Sequence, residues 1–279
     1  MKNEGNIAIF VPHAGCPHQC SFCDQRKISA AQQIPTLEQV QEICRQAIAH
    51  PRRPKQLEIA FFGGSFTAIP EKEQNALLEA VQPFLAMEGV TGIRISTRPD
   101  CITPEILQRL QQFHVTAIEL GAQSMQDAVL QKNHRGHTAQ DVRNAAKWIT
   151  AAGFSLGLQM MIGLDGSTPE QERETLQELL ALHPDTLRIY PLVVLKGTEL
   201  AERVQNGSFV LYDWETVLEL CADALCACRQ QGVRVIRCGL HAEDTVQSEA
   251  IAGFYHPAEA ADFARRCVCP TGNCQLCPA

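Results

Sequence analysis

The chain has 279 residues, 45% of them hydrophobic, enough to bury a sizeable core in one large α/β domain or in one domain with an appendage. A net charge of −7, from 24 basic and 31 acidic residues, excludes a global electrostatic footprint for nucleic acid, although it leaves room for a local basic patch. No apolar run reaches the length of a membrane span and Met1 to Asn6 do not read as a signal peptide, so the thirteen cysteines point to a reducing compartment, the cytoplasm, where metal binding or catalysis comes before disulfides.

Short apolar runs alternate with helical patterns along most of the chain. The first run, 6–11, leads into a cysteine loop and then a helix near 36–49, where Thr36 and Gln39 have capping-box spacing. A second strand, Leu57 to Phe62, ends at Gly63-Gly64, and Pro70 opens a helix through about 84. Strands follow at 92–97, 116–120, 154–162 and 185–194, with helices beginning at Thr103-Pro104, near 125 and 138, and at Thr168-Pro169. A helix near 213–231 precedes a seventh apolar run at 233–237. This alternation predicts a mostly parallel sheet wrapped by helices. Six or seven units fall short of the eight that close a barrel. The expected fold is therefore α/β, a partial, open parallel β/α barrel over residues 1–258, followed by a cysteine-rich tail over 259–279.

In parallel α/β folds ligands gather at the C-terminal ends of the strands, where loops converge. Those ends carry Cys16, Cys20 and Cys23 after the first strand, Gly63-Gly64-Ser65 after the second and Ser96-Thr97-Arg98 after the third. Gly121 to Ser124 follow the fourth, and Gln159 to Gly163 lie late in the fifth. Glycines alone would make turns, but cysteines, glycines and short polar residues recurring at one edge mark a site.

Cys16, Cys20 and Cys23 have Cys-x-x-x-Cys-x-x-Cys spacing, with Gly15 and Pro17 suited to a loop that folds its sulfurs inward. Thiolates select iron–sulfur clusters, zinc or copper(I). Three of them can hold three corners of a cubane cluster and leave one iron open to a non-protein ligand. The competing reading is a zinc loop with His13 or His18 as fourth ligand. Gly63-Gly64 lets backbone groups approach a ligand with no Cβ in the way, and no Lys-Ser/Thr follows at P-loop spacing. Arg135 is the guanidinium best placed by sequence to grip a carboxylate, against the alternative of a solvated arginine near a helix start. His134 and His137 flank it and take no assigned role.

The cysteine spacing resembles the radical S-adenosylmethionine (SAM) enzymes. Phe61 to Thr67, Thr97 to Asp100, Glu119 to Ser124, Arg135 to Thr138, Met160 to Leu164 and Ile189 to Pro191, with Gly197-Thr198, resemble the radical SAM domain of the Elongator catalytic subunit over about residues 7–240. The resemblance implies a [4Fe–4S] cluster on Cys16, Cys20 and Cys23 whose open iron binds SAM, and reductive cleavage of SAM to a 5′-deoxyadenosyl radical. It places Phe22 beside the SAM adenine, Gly63 and Gly64 at the amino group with Ser65 among the cofactor-binding residues, and Gln123 and Arg135 on the bound SAM. Ser96 and Gln159 fall where ribose contacts are made, Ser96 departing from the acidic residue often found there. It implies an electron donor of flavodoxin or ferredoxin type and leaves the catalytic side chains unknown; the lack of a long apolar run argues against a membrane partner. About forty residues follow the resemblance, too few for the acetyltransferase domain of the Elongator subunit, so a stand-alone protein with an open substrate is expected. A tRNA substrate is implied by the resemblance and disfavoured by the charge.

The alternatives are a non-catalytic cluster- or haem-binding protein, like the chaperone-like relatives of the oxygen-independent coproporphyrinogen III oxidase, and a zinc-bound module of an RNA-modifying assembly. Cys267, Cys269, Cys274 and Cys277 offer enough ligands for zinc or an auxiliary cluster, but the weak apolar periodicity around them favours an altered or truncated end. Cys221, Cys226 and Cys228 read as core positions on a helix.

Overall fold

The computed structural model describes residues 4–11, 16–17, 19–24, 33–239 and 244–253. His13, His18 and the tail 259–279, with its four cysteines, lie outside the described residues. The elements run β1 (Glu4–Val11), α1 (Leu37–Ala49), β2 (Gln56–Gly63), α2 (Glu71–Val81), β3 (Val90–Thr97), α3 (Pro104–Gln112), β4 (Val115–Gln123), α4 (Asp127–Lys132) and α5 (Ala139–Ala151). They continue with β5 (Ser155–Ile162), α6 (Pro169–Leu180), β6 (Thr186–Pro191), β7 (Val193–Leu195), α7 (Glu199–Gln205), α8 (Trp214–Gln230), β8 (Arg234–Cys238), α9 (Asp244–Glu249) and β9 (Ala250–Gly253). Seven strands pair in the order β1-β2-β3-β4-β5-β6-β8, a linear order that starts at β1 and ends at β8, as an open β/α sheet of seven units requires.

The chain forms two compact units. The first takes residues up to 18, 25–121 and 140–157. Its strands β1, β2, β3 and β4 pair in parallel, Ala8 opposite Ala60, Ala60 opposite Arg94 and Arg94 opposite Ala117. Ile7, Ile9, Ile59, Phe61, Ile93, Ile95 and Ile118 alternate onto one buried face, the period-two pattern of strands covered by helices. On the opposite face Arg94 lies buried between Glu58, 2.5 Å from its Nε, and Glu119, 3.2 Å from its Nη1. This one cation serves carboxylates on both neighbouring strands, and removing it would strand two charges in a poorly solvated place.

The second unit takes 19–24, 122–139 and the residues from 158 onward. Here β6 pairs in parallel with β8, and β7 pairs antiparallel with β9. The single strand expected at 185–194 is two strands. Pro191 has no N–H to give, and the N–H of Leu192 goes to Ile162 O at 2.9 Å, so the chain changes partner there. The helix expected to run to 84 stops at Val81 for the same reason. Pro83 cannot donate, and residues Gln82–Ala86 tighten into a 3₁₀ turn.

The helix starts are where the sequence puts them. Thr36 accepts the N–H of Gln39 while Gln39 accepts that of Thr36, and Thr168 and Gln171 make the same reciprocal pair at α6. Cys221 and Cys228 are fully buried on α8 as expected, whereas Cys226 is only half-buried. Short α7, α9 and β9 carry too little periodicity to be read in advance.

Candidate functional site

Residues 19–24 of the cysteine loop are packed into the second unit. Cys20 and Phe22 belong to an apolar cluster with Val129, Met161, Leu164, Leu192, Val194 and Leu200, and Cys23 packs against it. The N–H of Cys23 donates to Cys20 O at 3.1 Å, closing a tight turn that carries both sulfurs. Phe22, expected beside an adenine, is thus also a core side chain that roots the loop.

Arg135 is buried, and its Nη1 donates to Cys20 Sγ at 3.2 Å. The contact sets a fixed donor on the sulfur of one of the three spaced cysteines. The backbone delivers it there through the α4 terminus, where Arg135 N–H reaches back to Leu130 O at 2.9 Å. The solvated-arginine alternative does not hold.

Gln123 and Gln159, two separate expectations from sequence, are brought together in the same unit: Gln159 Nε2 donates to Gln123 Oε1 at 3.2 Å. Gln123 has φ 67°, the left-handed region that residues with a Cβ seldom adopt. Such strain persists only where surroundings over-determine it, and it concentrates at ligand sites.

In the first unit, Cys16 is half-buried. Gly63 has φ +110°, and a Cβ there would stand 2.9 Å from Val11 O, so no other residue fits the end of β2 without a shift. Gly64 donates its N–H to Val11 O at 2.9 Å, so that N–H is already taken at the end of β2. Ser96 is half-buried on β3 opposite Glu119. Ser65 follows at the end of β2. It is fully buried, its hydroxyl meets Thr97 Oγ1 at 2.9 Å and accepts the N–H of Arg98 at 3.3 Å, so it braces the ends of β2 and β3.

Glu172 is a site-supporting residue that sequence reading missed. It looks like a first-turn acid of α6, yet it is buried and accepts the N–H of Gly163, at the end of β5, at 2.8 Å. Burial pushes its carboxyl up to about 7, opposed by that N–H and by Ser167. A folded pKa above the unfolded value means the contribution is fully present below about pH 4.5 and is lost as pH rises through about 7. Wild type should therefore lose about 2–3 kcal/mol more stability than Glu172→Gln between pH 4.5 and 8, read from urea unfolding. Parallel pH profiles for the two proteins would remove this assignment.

A buried thiol resists ionisation: burial pushes Cys44 up to about 11 and Cys228 up to about 12. Those cysteines are core.

An open parallel β/α sheet whose first strand runs into a three-cysteine loop defines a class of cofactor enzyme. The family comparison makes that specific: residues 10–179 match the radical SAM superfamily and residues 184–263 the radical SAM C-terminal domain, and the chain belongs to the radical SAM superfamily. It is a radical SAM enzyme, of a family whose cofactors are a [4Fe–4S] cluster and SAM and which requires an electron donor.

The chain is 32% identical over 225 residues to an uncharacterized protein of Methanocaldococcus jannaschii, covering 76% of this chain and 68% of that one. It is 25% identical over 258 residues to the tRNA uridine(34) acetyltransferase of Methanocaldococcus infernus, covering 77% of this chain and 48% of the relative, so it spans about half that protein's length. The solved structure of the archaeal Elp3 of Methanocaldococcus infernus, with an N-terminal deletion, superposes with a TM-score of 0.69 at 20% identity, covering 89% of this chain and 62% of that one, a likeness of fold.

Thiols are the donor chemistry that the family's cluster takes. Cys16, Cys20 and Cys23 are outside disulfides and Cys20 has a cation on its sulfur. Among the described residues no three His, Cys, Asp or Glu side chains gather for a single metal ion, so the fit rests on this donor set and on Arg135. No helix among the described residues is long and apolar enough to cross a membrane.

Proposed function

We propose that Cys16, Cys20 and Cys23 ligate three irons of a [4Fe–4S] cluster, that the fourth iron takes the amino and carboxylate groups of SAM, and that residues 1–258 carry this chemistry. When bound, the cluster supplies the electron that splits SAM into methionine and a 5′-deoxyadenosyl radical, which abstracts a hydrogen from the substrate. Gly63 and Gly64 offer backbone carbonyls to the SAM amino group, the N–H of Gly64 being taken by Val11. Arg135 grips the carboxylate, a planar group that its forked donors match. Gln123 and Gln159, already joined, and Ser96 supply polar contacts to the nucleoside, and Phe22 packs against its adenine.

The observation that carries this reading is the 3.2 Å contact of Arg135 with Cys20. It joins a cluster thiolate and the carboxylate-gripping cation in one buried place, which a surface arginine or a purely packed cysteine would not do. Anaerobically reconstituted protein should hold about four irons and four sulfides per chain, and SAM should alter the EPR signal of the reduced cluster. Stoichiometric zinc without iron would sink the reading.

The electron donor is of flavodoxin or ferredoxin type, and thirteen cysteines support a reducing, cytoplasmic setting for the enzyme. The substrate class is RNA, on the ground of the tRNA uridine(34) acetyltransferase relative. With a net charge of −7, tRNA should bind weakly and lose affinity steeply as salt rises, since phosphate neutralisation needs clustered Lys and Arg. Tight, salt-insensitive binding in filter assays would contradict that.

A further inference from the structure

Between Cys20 and Cys23 stands Ser21, 1% exposed, with every polar group engaged. Its N–H donates to Asn133 O at 3.2 Å, its hydroxyl donates to Asn133 Oδ1 at 3.0 Å, and its carbonyl accepts the N–H of Leu200, in the first turn of α7, at 2.8 Å. Asn133, fully buried at the end of α4, is itself fixed, its Nδ2 donating to Val129 O at 2.8 Å and to Asp165 O at 2.9 Å. The Asp165 carboxylate in turn takes Lys132 Nζ and Arg203 Nη1, each at 2.8 Å. Two residues beyond Asn133, Arg135 reaches the sulfur of Cys20. One short segment, 133–135, therefore holds the middle of the cysteine turn by its backbone and one of its sulfurs by a cation.

We infer that the Ser21–Asn133 pair is a preformed seat for the Cys20–Cys23 turn, and that Asn133 is a positioning residue that presents both thiols for cluster loading. The physical reason is preorganisation. A turn already fixed before metal arrives loses little conformational freedom on loading, and a buried amide whose donors and acceptor are all matched has one low-energy arrangement. This rests on the cluster reading above, but its first test uses the full chain without cluster, so either can fail alone.

Iodoacetamide labelling of the cluster-free chain, resolved by site with mass spectrometry, reports how often the turn opens. Ser21→Ala removes one side-chain bond and orphans the Asn133 acceptor, so Cys20 and Cys23 should label about tenfold faster while half-buried Cys226 labels at the wild-type rate. Asn133→Ala should act in the same direction and more strongly, because it also frees the end of α4 from Asp165 O. Ser21→Thr, which keeps the hydroxyl, should stay within about twofold of wild type. After anaerobic reconstitution Ser21→Ala should bind the full iron complement, with a cluster midpoint potential shifted from wild type, since potentials follow the surroundings of the sulfurs. Unchanged labelling of Cys20 and Cys23 in Ser21→Ala overturns the inference. So does a parallel rise at Cys226 or failure of the variant to fold, either of which would make the pair a general strut of the unit.

Discussion

Cys20→Ala is expected to leave a folded protein that holds no cluster. The wild-type chain should carry about four irons after anaerobic reconstitution, and loss of one of three thiolate ligands should reduce that to near zero, with SAM cleavage falling to background. The fold should survive. Cys20 sits in an apolar cluster, where trading a small sulfur side chain for alanine leaves a minor gap worth about 1 kcal/mol, a few degrees in melting temperature. Cys16→Ala and Cys23→Ala should behave alike, and Cys226→Ala, on α8, should keep wild-type iron. Iron analysis beside a thermal melt separates the outcomes. A Cys20→Ala protein that keeps its iron would remove Cys20 from the ligand set.

The second large effect is expected at Arg135. Loss of a charge-assisted, forked grip on the SAM carboxylate should weaken SAM binding by about 1.5–3 kcal/mol, roughly 10- to 150-fold in Kd. Iron content should stay at the wild-type level, because Arg135 donates to Cys20 without being a ligand. Its hydrogen bond to that sulfur adds a further signature. A cation on a cluster thiolate stabilises the reduced, more negative state, so Arg135→Ala should move the midpoint potential to a more negative value. Arg135→Lys keeps the charge and loses the fork, and should restore the potential better than the affinity. Equal SAM affinity in wild type and Arg135→Ala by calorimetry would remove Arg135 from the SAM contacts.

Much of this was legible in the sequence because the signals are local. Thr36 with Gln39, and Thr168 with Gln171, mark helix starts through bonds made within four residues, and Thr103-Pro104 does so through a cap and a ring-fixed φ. Cysteine spacing likewise carries the family resemblance within a few positions. What escaped depends on contacts far apart in the chain. Nothing around Ser21 announces that its partners are Asn133, 112 residues away, and the N–H of Leu200. Glu172 reads as a helix-start acid until the end of β5 is seen to donate to it. Nor does the sequence around Ser65 announce that its hydroxyl meets Thr97, 32 residues away. The break after β6 needed knowledge that Ile162 would claim the N–H of Leu192. Residue types at strand ends thus locate a site, while the division between groups that meet a ligand and groups that brace them is set by tertiary hydrogen bonds.

A chain that uses its three-cysteine loop to cleave SAM must release 5′-deoxyadenosine and methionine. The most direct measurement is anaerobic incubation of the reconstituted protein with dithionite and SAM, followed by chromatography for 5′-deoxyadenosine and methionine. Formation of both in equal amounts by wild type, and of neither by Cys20→Ala, is the result expected here. Iron-loaded wild type that binds SAM and yields no 5′-deoxyadenosine, with dithionite or with a reduced flavodoxin, would contradict it and leave a binding protein in its place.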